Sequence, residues 1–334
     1  MRCVHLCKVF IKFERFVVQC RKTQSDLLYR RSSLNPAGAF AIIRQMETVC
    51  IFTPTYNRAY TLGTLFESLR QQSSQQFYWL IVDDGSTDDT ESLVSQFSET
   101  SPFRIEYVKQ KNGGKQRAHN TGVDHCESEL FFCVDSDDVL TPFAVETILK
   151  AWDRYRDDAS VAGLVGLCGH DMDTPLGTSM PKDVGTITFW DLYYKKGHKG
   201  DSAPIHRTEI LKKYPFFVAD GEKFMAETYV YHQIDQAYTL GVIDRVLIIR
   251  EYLEDGYTHN VRKVTRQNPI GYKILKRMYI EYSDTLYLKF YNSILYLVGC
   301  RFSGTKRAVR DAPYPAIALL AYLPAVLLCK TVYR

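Results

Sequence analysis

The sequence predicts an α/β fold in which a mainly parallel sheet carries helices on both faces. A short apolar run, a polar loop and an amphipathic stretch follow one another four times within residues 48–152. The amphipathic stretches have helical spacing, as in Leu62, Leu65, Phe66 and Leu69 at i, i+3, i+4 and i+7. Strands that alternate with helices pair in parallel, because each helix crosses back over the sheet.

Polar loops follow the apolar runs that are predicted as strands. These runs are residues 49–52, 79–82, 105–108 and 130–134, with 162–168 and 242–252 as later strands. The carboxyl ends of parallel strands meet at one edge of a sheet, where open α/β folds bind their ligands. We therefore expect the loops after the first four strands, which are rich in Asp, Gly, Lys and Arg, to face a common cleft.

The fourth run ends in a group of carboxylates formed by Asp135, Asp137 and Asp138. Unpaired carboxylates are costly to bury at the end of a core strand, so they need a partner. A hard divalent cation with oxygen ligands is the natural one. A solvated acidic turn that caps the next helix is the alternative reading of the same three residues.

Positive charge and glycine precede this acidic group in the chain. Arg58 and Lys115 supply cations, and Gly113 and Gly114 let a ligand approach the backbone at a helix start that favours anions. Cations and a metal at one edge predict a diphosphate site. Neither G-x-x-x-x-G-K-[ST] nor a G-x-G-x-x-G after the first strand occurs, which argues against a P-loop and a dinucleotide cofactor.

The composition narrows the class of protein. The net charge of +4 over 334 residues does not indicate a nucleic-acid binder, and no nucleic-acid partner is expected. Hydrophobic residues make up 46% of the chain, enough to fill a core. The nine cysteines include no C-x-x-C pair and are interpreted as reduced thiols of a cytoplasmic protein.

Four of the polar segments resemble, in order and spacing, the successive motifs of the family-2 glycosyltransferases. These segments are residues 52–58, 82–88, 111–115 and 135–138. The resemblance covers roughly residues 47–260 and implies the so-called GT-A type of α/β fold, which binds a nucleotide-diphosphate-sugar. It also implies that the donor pocket is lined by Thr53, Pro54, Tyr56, Arg58, Asp84, Lys115 and Asp135.

The resemblance assigns roles within that pocket. Asp84 would bond to the edge of the base, and Lys115 would lie beside the nucleotide. Asp135 and Asp137 would hold Mn²⁺ or Mg²⁺, with Asp137 as the metal ligand that the resemblance supports best. Asp138 stays open between a site role and helix capping. His259 stays open between contact with the metal or diphosphate and simple exposure.

The base that deprotonates the acceptor hydroxyl is assigned to Glu227. An alcohol is a poor nucleophile at neutral pH, so a placed carboxylate must take its proton during attack. Glu227 stands at a predicted helix start and matches the acceptor-side segment of the family, although Glu-Thr replaces the usual Glu-Asp or Asp-Asp. Asp220 and Glu222 are alternatives, and favouring the helix N-terminus is the structural alternative for Glu227 itself.

The chain is predicted to have three parts. Residues 1–45 are basic and are expected to be a disordered arm or an over-extended reading frame with the true start at Met46; a basic helix on a membrane surface is the alternative. Residues 46–260 are the predicted catalytic domain, and residues 261–334 are a predicted helical C-terminal extension.

The extension contains a nearly uncharged segment, residues 313–329, that begins at Pro313, is short for a membrane span and carries Pro315 and Pro324. An interfacial or re-entrant segment is predicted, and a core helix against the catalytic domain is the alternative. We expect a cytoplasmic protein that contacts the inner face of the membrane peripherally through this segment.

The resemblance implies metal-dependent transfer of one sugar, with inversion, from a UDP-sugar by default to a saccharide or lipid-linked acceptor. Processive synthases of the family carry Q-x-x-R-W and several long spans, and neither is found in this sequence. Two alternatives stay open. A sugar-nucleotide pyrophosphorylase should have a glycine-rich first loop. A non-catalytic protein that binds nucleotide-sugars or carbohydrates need not keep Asp137 and Glu227 together.

Overall fold

A computed structural model describes residues 47–250 and 261–333. The predicted arm at residues 1–45 and His259 lie outside these residues. The strands are β1 (Val49–Thr55), β2 (Phe77–Asp83), β3 (Ile105–Lys109), β4 (Leu130–Cys133), β5 (Val139–Leu140), β6 (Val161–Gly169), β7 (Thr186–Ile187), β8 (Ser202–Arg207) and β9 (Thr239–Ile249). The α-helices are α1 (Ala59–Arg70), α2 (Thr90–Thr100), α3 (Lys115–His125), α4 (Ala144–Trp152), α5 (Thr208–Leu211), α6 (Thr228–Ile234), α7 (Val261–Gln267), α8 (Pro269–Tyr282), α9 (Leu286–Phe302) and α10 (Pro315–Thr331). A π-helical segment spans Asp191–Lys195.

The nine strands found in the described residues form one sheet in the order β3-β2-β1-β4-β8-β6-β9-β5, with β7 also paired to β9. Strands β1 to β4 are mutually parallel, and β9 is parallel to β6. The remaining pairs are antiparallel, so β5, β7 and β8 run against the other six strands. The predicted mixed, mainly parallel sheet is therefore confirmed.

Alternation along the central strands sends side chains into two cores. Val49 and Ile51 of β1 point into a core with the apolar faces of α1, α2 and α4. Cys50 and Phe52 point to the other face, where α3, α6 and α8 pack. Successive side chains of a strand lie on opposite faces, so a run that is apolar at every position fits a sheet covered on both sides. The prediction of helices on both faces is confirmed.

The sequence did not predict the short strands β5, β7 and β8. Strand β8 reads Ser-Ala-Pro-Ile-His-Arg, which has neither an apolar run nor a clean alternation. It nevertheless lies between β4 and β6, antiparallel to both. Its pairing with β4 positions Asp201, the residue just before it, beside the carboxyl edge of the sheet.

The C-terminal part is helical, as predicted. Helix α9 packs between α8 and α10 around a third apolar cluster. Helix α10 buries a row of small residues: Ala318, Ala321, Ala325 and Cys329. It exposes a row of leucines: Leu319, Leu320, Leu323 and Leu327. Among the helices within 47–250 and 261–333, none combines the length and apolar character needed to cross a membrane.

Candidate active site

A cleft of about 1300 Å³ lies at the carboxyl edge of the parallel strands. Each of the first four loops contributes to it, with Tyr56 after β1, Asp84 after β2, Gly114 after β3 and Asp135 after β4. The prediction that these loops face one cleft is confirmed, for the reason that parallel strands end at one edge. Residues 189–202 and 223–231 line the rest of the cleft, together with α7.

Lys115 joins two of the predicted site residues. Its Nζ lies 2.7 Å from Oδ1 of Asp135 and 2.7 Å from Oε1 of Glu227. Burial acts to lower the pKa of Lys115, but the two carboxylates outweigh it and raise that pKa well above its ordinary value. Burial likewise acts to raise the pKa of Asp135, and Lys115 with Arg250 turns the shift downward. The ammonium and the Asp135 carboxylate are therefore both charged at neutral pH.

Gly114 allows Lys115 to reach this position. It has a φ of +96°, and a Cβ there would lie 2.0 Å from the carbonyl oxygen of Lys223. Only glycine combines that backbone conformation with such a close approach. The start of α3 is thereby brought against the segment that carries Glu227.

Arg250, at the end of β9, was not predicted as a site residue. Its guanidinium contacts Asp138 at 2.6 Å and Asp201 at 3.0 Å, and lies 3.8 Å from Asp135. The side chain of Asp138 is 2% exposed. Helix α4 has no side-chain cap, so the capping alternative for Asp138 is wrong and its partner is Arg250.

Asp137 lies at the open side of the acidic group. It lines the cleft, and Oδ2 is 3.9 Å from Nη1 of Arg58. In residues 47–250 and 261–333, no three His, Cys, Asp or Glu side chains converge on a metal position. Mg²⁺ commonly takes one or two protein carboxylates and completes its shell with substrate phosphates and water. Asp137, with Asp135 beside it, fits that mode of binding.

The predicted nucleotide residues of the first loop separate into two groups. Pro54, Tyr56 and Arg58 line the cleft. Thr53 is fully buried, and its hydroxyl accepts a hydrogen bond of 2.9 Å from the indole of Trp79. Thr55, which was not predicted, lines the cleft instead, two residues nearer to the end of the strand.

The carboxylate of Asp84 lines the cleft but is engaged by the loop after β3. It accepts hydrogen bonds from Gln110 at 2.7 Å and Asn112 at 3.1 Å, and from the amides of Gly113 at 2.8 Å and Gly114 at 2.7 Å. Four donors match the four lone-pair directions of a carboxylate. Asp84 therefore fixes the glycine loop, and its contact with the base edge stays a prediction.

The three candidates for the base occupy different places. Glu227 lines the cleft, and its side chain is 45% exposed. Glu222 is buried and accepts hydrogen bonds from the amides of Ile270 at 2.6 Å and Gly271 at 2.8 Å, so it holds the start of α8. Asp220 is exposed and does not line the cleft. The geometry favours Glu227.

An aromatic wall, formed by Phe189, Tyr193, Tyr194, Tyr231, His232 and Tyr279, lines the cleft on the side of residues 189–202. Asp235 holds it in place, since its carboxylate accepts from the amides of Phe189 and Trp190, each at 2.8 Å. This wall was not predicted from the sequence, because aromatic residues at 189–194 carry no motif. Their density within a short segment was the available signal.

Residues 50–212 match the family model described as glycosyl transferase family 2. This part of the chain is therefore similar to the family 2 glycosyltransferases. The match covers a little under half of the 334 residues and includes the four motif segments, whereas Glu227 and Arg250 lie beyond it.

Curated relatives bear glycosyltransferase names. The chain is 36% identical to Escherichia coli chondroitin synthase over 122 residues, which are 36% of this chain and 17% of the synthase. It is 26% identical over 200 residues to TarP of Staphylococcus aureus, a poly(ribitol-phosphate) β-N-acetylglucosaminyltransferase, covering 58% of this chain and 57% of TarP. The chain thus spans less than two thirds of either relative.

Solved structures show the same fold. S. aureus TarS superposes with a TM-score of 0.54 at 18% identity, covering 86% of this chain and 55% of TarS. The mannosyltransferase PcManGT of Pyrobaculum calidifontis, solved with GDP-Man and Mn²⁺, gives a TM-score of 0.51 at 21% identity, covering 86% and 82%. These likenesses confirm the predicted glycosyltransferase type of α/β fold.

Proposed function

We propose that the chain is a metal-dependent glycosyltransferase that moves one sugar from a nucleotide-diphosphate-sugar to an acceptor hydroxyl with inversion. The observation that carries this proposal is the placement of Lys115 between Asp135 and Glu227. One ammonium group thus contacts both Asp135, which belongs to the predicted donor site, and Glu227, the candidate base. A donor bound at Asp135 would present its sugar to Glu227.

The reaction would be a single displacement. The acceptor oxygen forms a bond to the anomeric carbon while the bond from that carbon to the diphosphate oxygen breaks. The acceptor proton passes to the carboxylate of Glu227. One attack from the face opposite the leaving group inverts the configuration at carbon.

The leaving diphosphate gains negative charge as the bond breaks, and its stabilisation is expected to be the largest contribution to the rate. Arg58 and Lys115 line the cleft near the acidic group, and Arg250, which also lines it, is paired with Asp138 and Asp201. A Mn²⁺ or Mg²⁺ ion held by Asp137, with Asp135, would supply further positive charge to the diphosphate.

The donor is proposed to be a UDP-sugar. TarS has been solved with UDP-GlcNAc, and TarP is named for N-acetylglucosamine transfer, whereas PcManGT was solved with GDP-Man. UDP-GlcNAc is therefore the first donor to test and GDP-Man the first alternative. The acceptor is proposed to be a saccharide or lipid-linked chain used in polysaccharide or teichoic acid synthesis.

Peripheral contact with the inner face of a cytoplasmic membrane is proposed for α10. Its leucine row is exposed, with Leu320 at 73%, and exposed basic residues stand before and after it at Arg310 and Lys330. Apolar area with flanking cations suits an anionic lipid surface. Co-sedimentation with vesicles containing phosphatidylglycerol should fall sharply in Leu320→Ser/Leu323→Ser. Equal sedimentation of wild type and variant would contradict this contact.

The proposed activity is tested with the full chain and a panel of UDP-sugars and GDP-Man, with Mn²⁺, Mg²⁺ or chelator. Released nucleoside diphosphate is measured with and without saccharide and lipid-extract acceptors. We expect release from one donor that requires both metal and Asp137, so Asp137→Asn should abolish it. Donor binding without release under any acceptor would favour a binding protein, and absence of metal-dependent nucleotide binding would overturn the proposal.

A further inference from the structure

Lys276 is a cation that the proposed reaction does not use. Its Nζ lies 4.5 Å from the ring centre of Tyr279 and 5.5 Å from that of Tyr272, all on one face of α8. Within the described residues, no carboxylate forms an ion pair with it. Burial lowers its pKa to about 8. Ring faces attract a cation but replace only part of its lost hydration, so the site favours an anion.

Tyr279 connects Lys276 to the cleft. Its ring lines the cleft, and its hydroxyl donates a hydrogen bond of 2.6 Å to Thr228, the residue after Glu227. The same ring packs edge-on against Trp190 at 5.8 Å. Tyr279 therefore contacts both Lys276 and the segment that carries the candidate base.

Exposed tyrosines continue from this point towards solvent. Tyr194 stacks on Trp190 at 4.2 Å, lines the cleft and is 42% exposed. Tyr291 lies on α9, which packs against α8, is 48% exposed, stacks with Tyr287 and acts to raise the pKa of Tyr194 and Tyr272. Exposed tyrosines thus occur both at the cleft and on α9.

We propose that Lys276, Tyr194 and Tyr291 bind the acceptor glycan, with the lysine paired to an oxyanion of that glycan. This inference rests on the proposed function and adds the chemical class of the acceptor. Tyrosine rings present an apolar face and a polar hydroxyl, which suits the mixed surface of sugar rings. The oxyanion is a phosphodiester or a uronic acid carboxylate, either of which would pair with the ammonium group.

The test measures binding of three labelled probes to the full chain by fluorescence anisotropy. The probes are a poly(glycerol phosphate) oligomer, a uronic acid-containing oligosaccharide and a neutral chitin oligosaccharide. Lys276→Met should weaken binding of the preferred anionic probe roughly ten- to hundredfold, the value of one charge-assisted hydrogen bond. Binding of the neutral probe should not change. Lys276→Arg should keep most of the anionic affinity, and the exposed Lys213→Met is the matched control.

The outcome separates this inference from the activity on which it rests. Equal affinity of wild type and Lys276→Met for the anionic probes would overturn it, as would a wild type that prefers the neutral probe. Nucleotide affinity is measured on the same preparations. If wild type fails to bind nucleotide, the proposed function fails, whereas normal nucleotide binding with an unchanged Lys276→Met profile removes only the acceptor site. The anionic probe that binds more tightly identifies the oxyanion.

Discussion

At the scale of single residues, the acidic edge of the sheet is divided between structural and reactive carboxylates. Asp138 is buried against Arg250, and Asp84 is satisfied by four donors from the loop after β3. Asp137 and Glu227 remain at the cleft surface, where Arg58 lies 3.9 Å from Asp137 and Lys115 lies 2.7 Å from Glu227. Carboxylates at the same edge of the sheet therefore have different roles, because their hydrogen-bond and ion-pair partners differ. The sequence motif alone does not show these partners.

Asp84→Ala tests the structural assignment. The change removes four hydrogen bonds and leaves the amides of Gly113 and Gly114 without their acceptor. We expect a loss of about 2–4 kcal/mol in the free energy of unfolding, measured by urea denaturation, and weaker nucleotide binding. Asp89→Ala is the control, because Asp89 is exposed and makes no capping bond at α2. Equal stability of the two variants would contradict the role of Asp84.

At the scale of elements, Arg250 joins parts of the chain that are remote in sequence. It follows β9 directly and contacts Asp138 after β4 and Asp201 before β8. The three residues therefore link the carboxyl edges of both halves of the sheet. The carboxylate most dependent on this link is Asp138, which has almost no access to water.

Arg250→Met should destabilise the fold by about 3–5 kcal/mol, because it leaves a buried carboxylate without its partner. Chemical denaturation of the full chain measures the loss. Arg245→Met, on the same strand but exposed, should cost less than about 0.5 kcal/mol. If both substitutions have the same small effect, the ion pair does not stabilise the edge.

The sequence predicts elements whose residues carry a strong pattern and misses those that depend on distant partners. The four strand–loop–helix units were predicted correctly, and with them the meeting of Lys115 and Asp135, because parallel strands end at one edge. The contact of Lys115 with Glu227 was not predicted. Arg250 was missed since it is 112 residues from Asp138 in the chain. Thr53 and Thr55 have the same chemistry and are both buried, but Thr53 is bonded to Trp79 whereas Thr55 lines the cleft, and the sequence does not show this difference.

At the scale of the whole molecule, two uncharged histidines lie in the core beneath the cleft. His119 packs among the rings of Phe52, Phe131 and Phe216, and burial, with Lys115 and His206 nearby, lowers its pKa to about 3 even though Asp135 opposes the shift. Burial lowers the pKa of His206 to about 4. Both rings stay neutral in the folded protein at pH values where they are charged in the unfolded chain.

This difference predicts acid-sensitive stability. Below pH 6.5 the unfolded chain binds a proton at each histidine and the folded chain does not, so stability falls as the pH falls. The expected slope is roughly 1.4 kcal/mol per pH unit for each histidine between about pH 6 and 5. Urea unfolding at several pH values should show a shallower slope for His119→Phe and an unchanged slope for the exposed His125→Phe. Identical slopes in all three proteins would contradict the account of the core.

The assignment of Glu227 as the base is tested most directly by single-turnover release of nucleoside diphosphate from the donor that the panel identifies. Wild type and Glu227→Gln are compared with metal and acceptor present, and nucleotide affinity is measured on the same samples. We predict a rate at least about a hundredfold lower for Glu227→Gln with nearly unchanged nucleotide affinity, and a normal rate for Asp220→Asn. A near wild-type rate for Glu227→Gln would show that the base lies elsewhere.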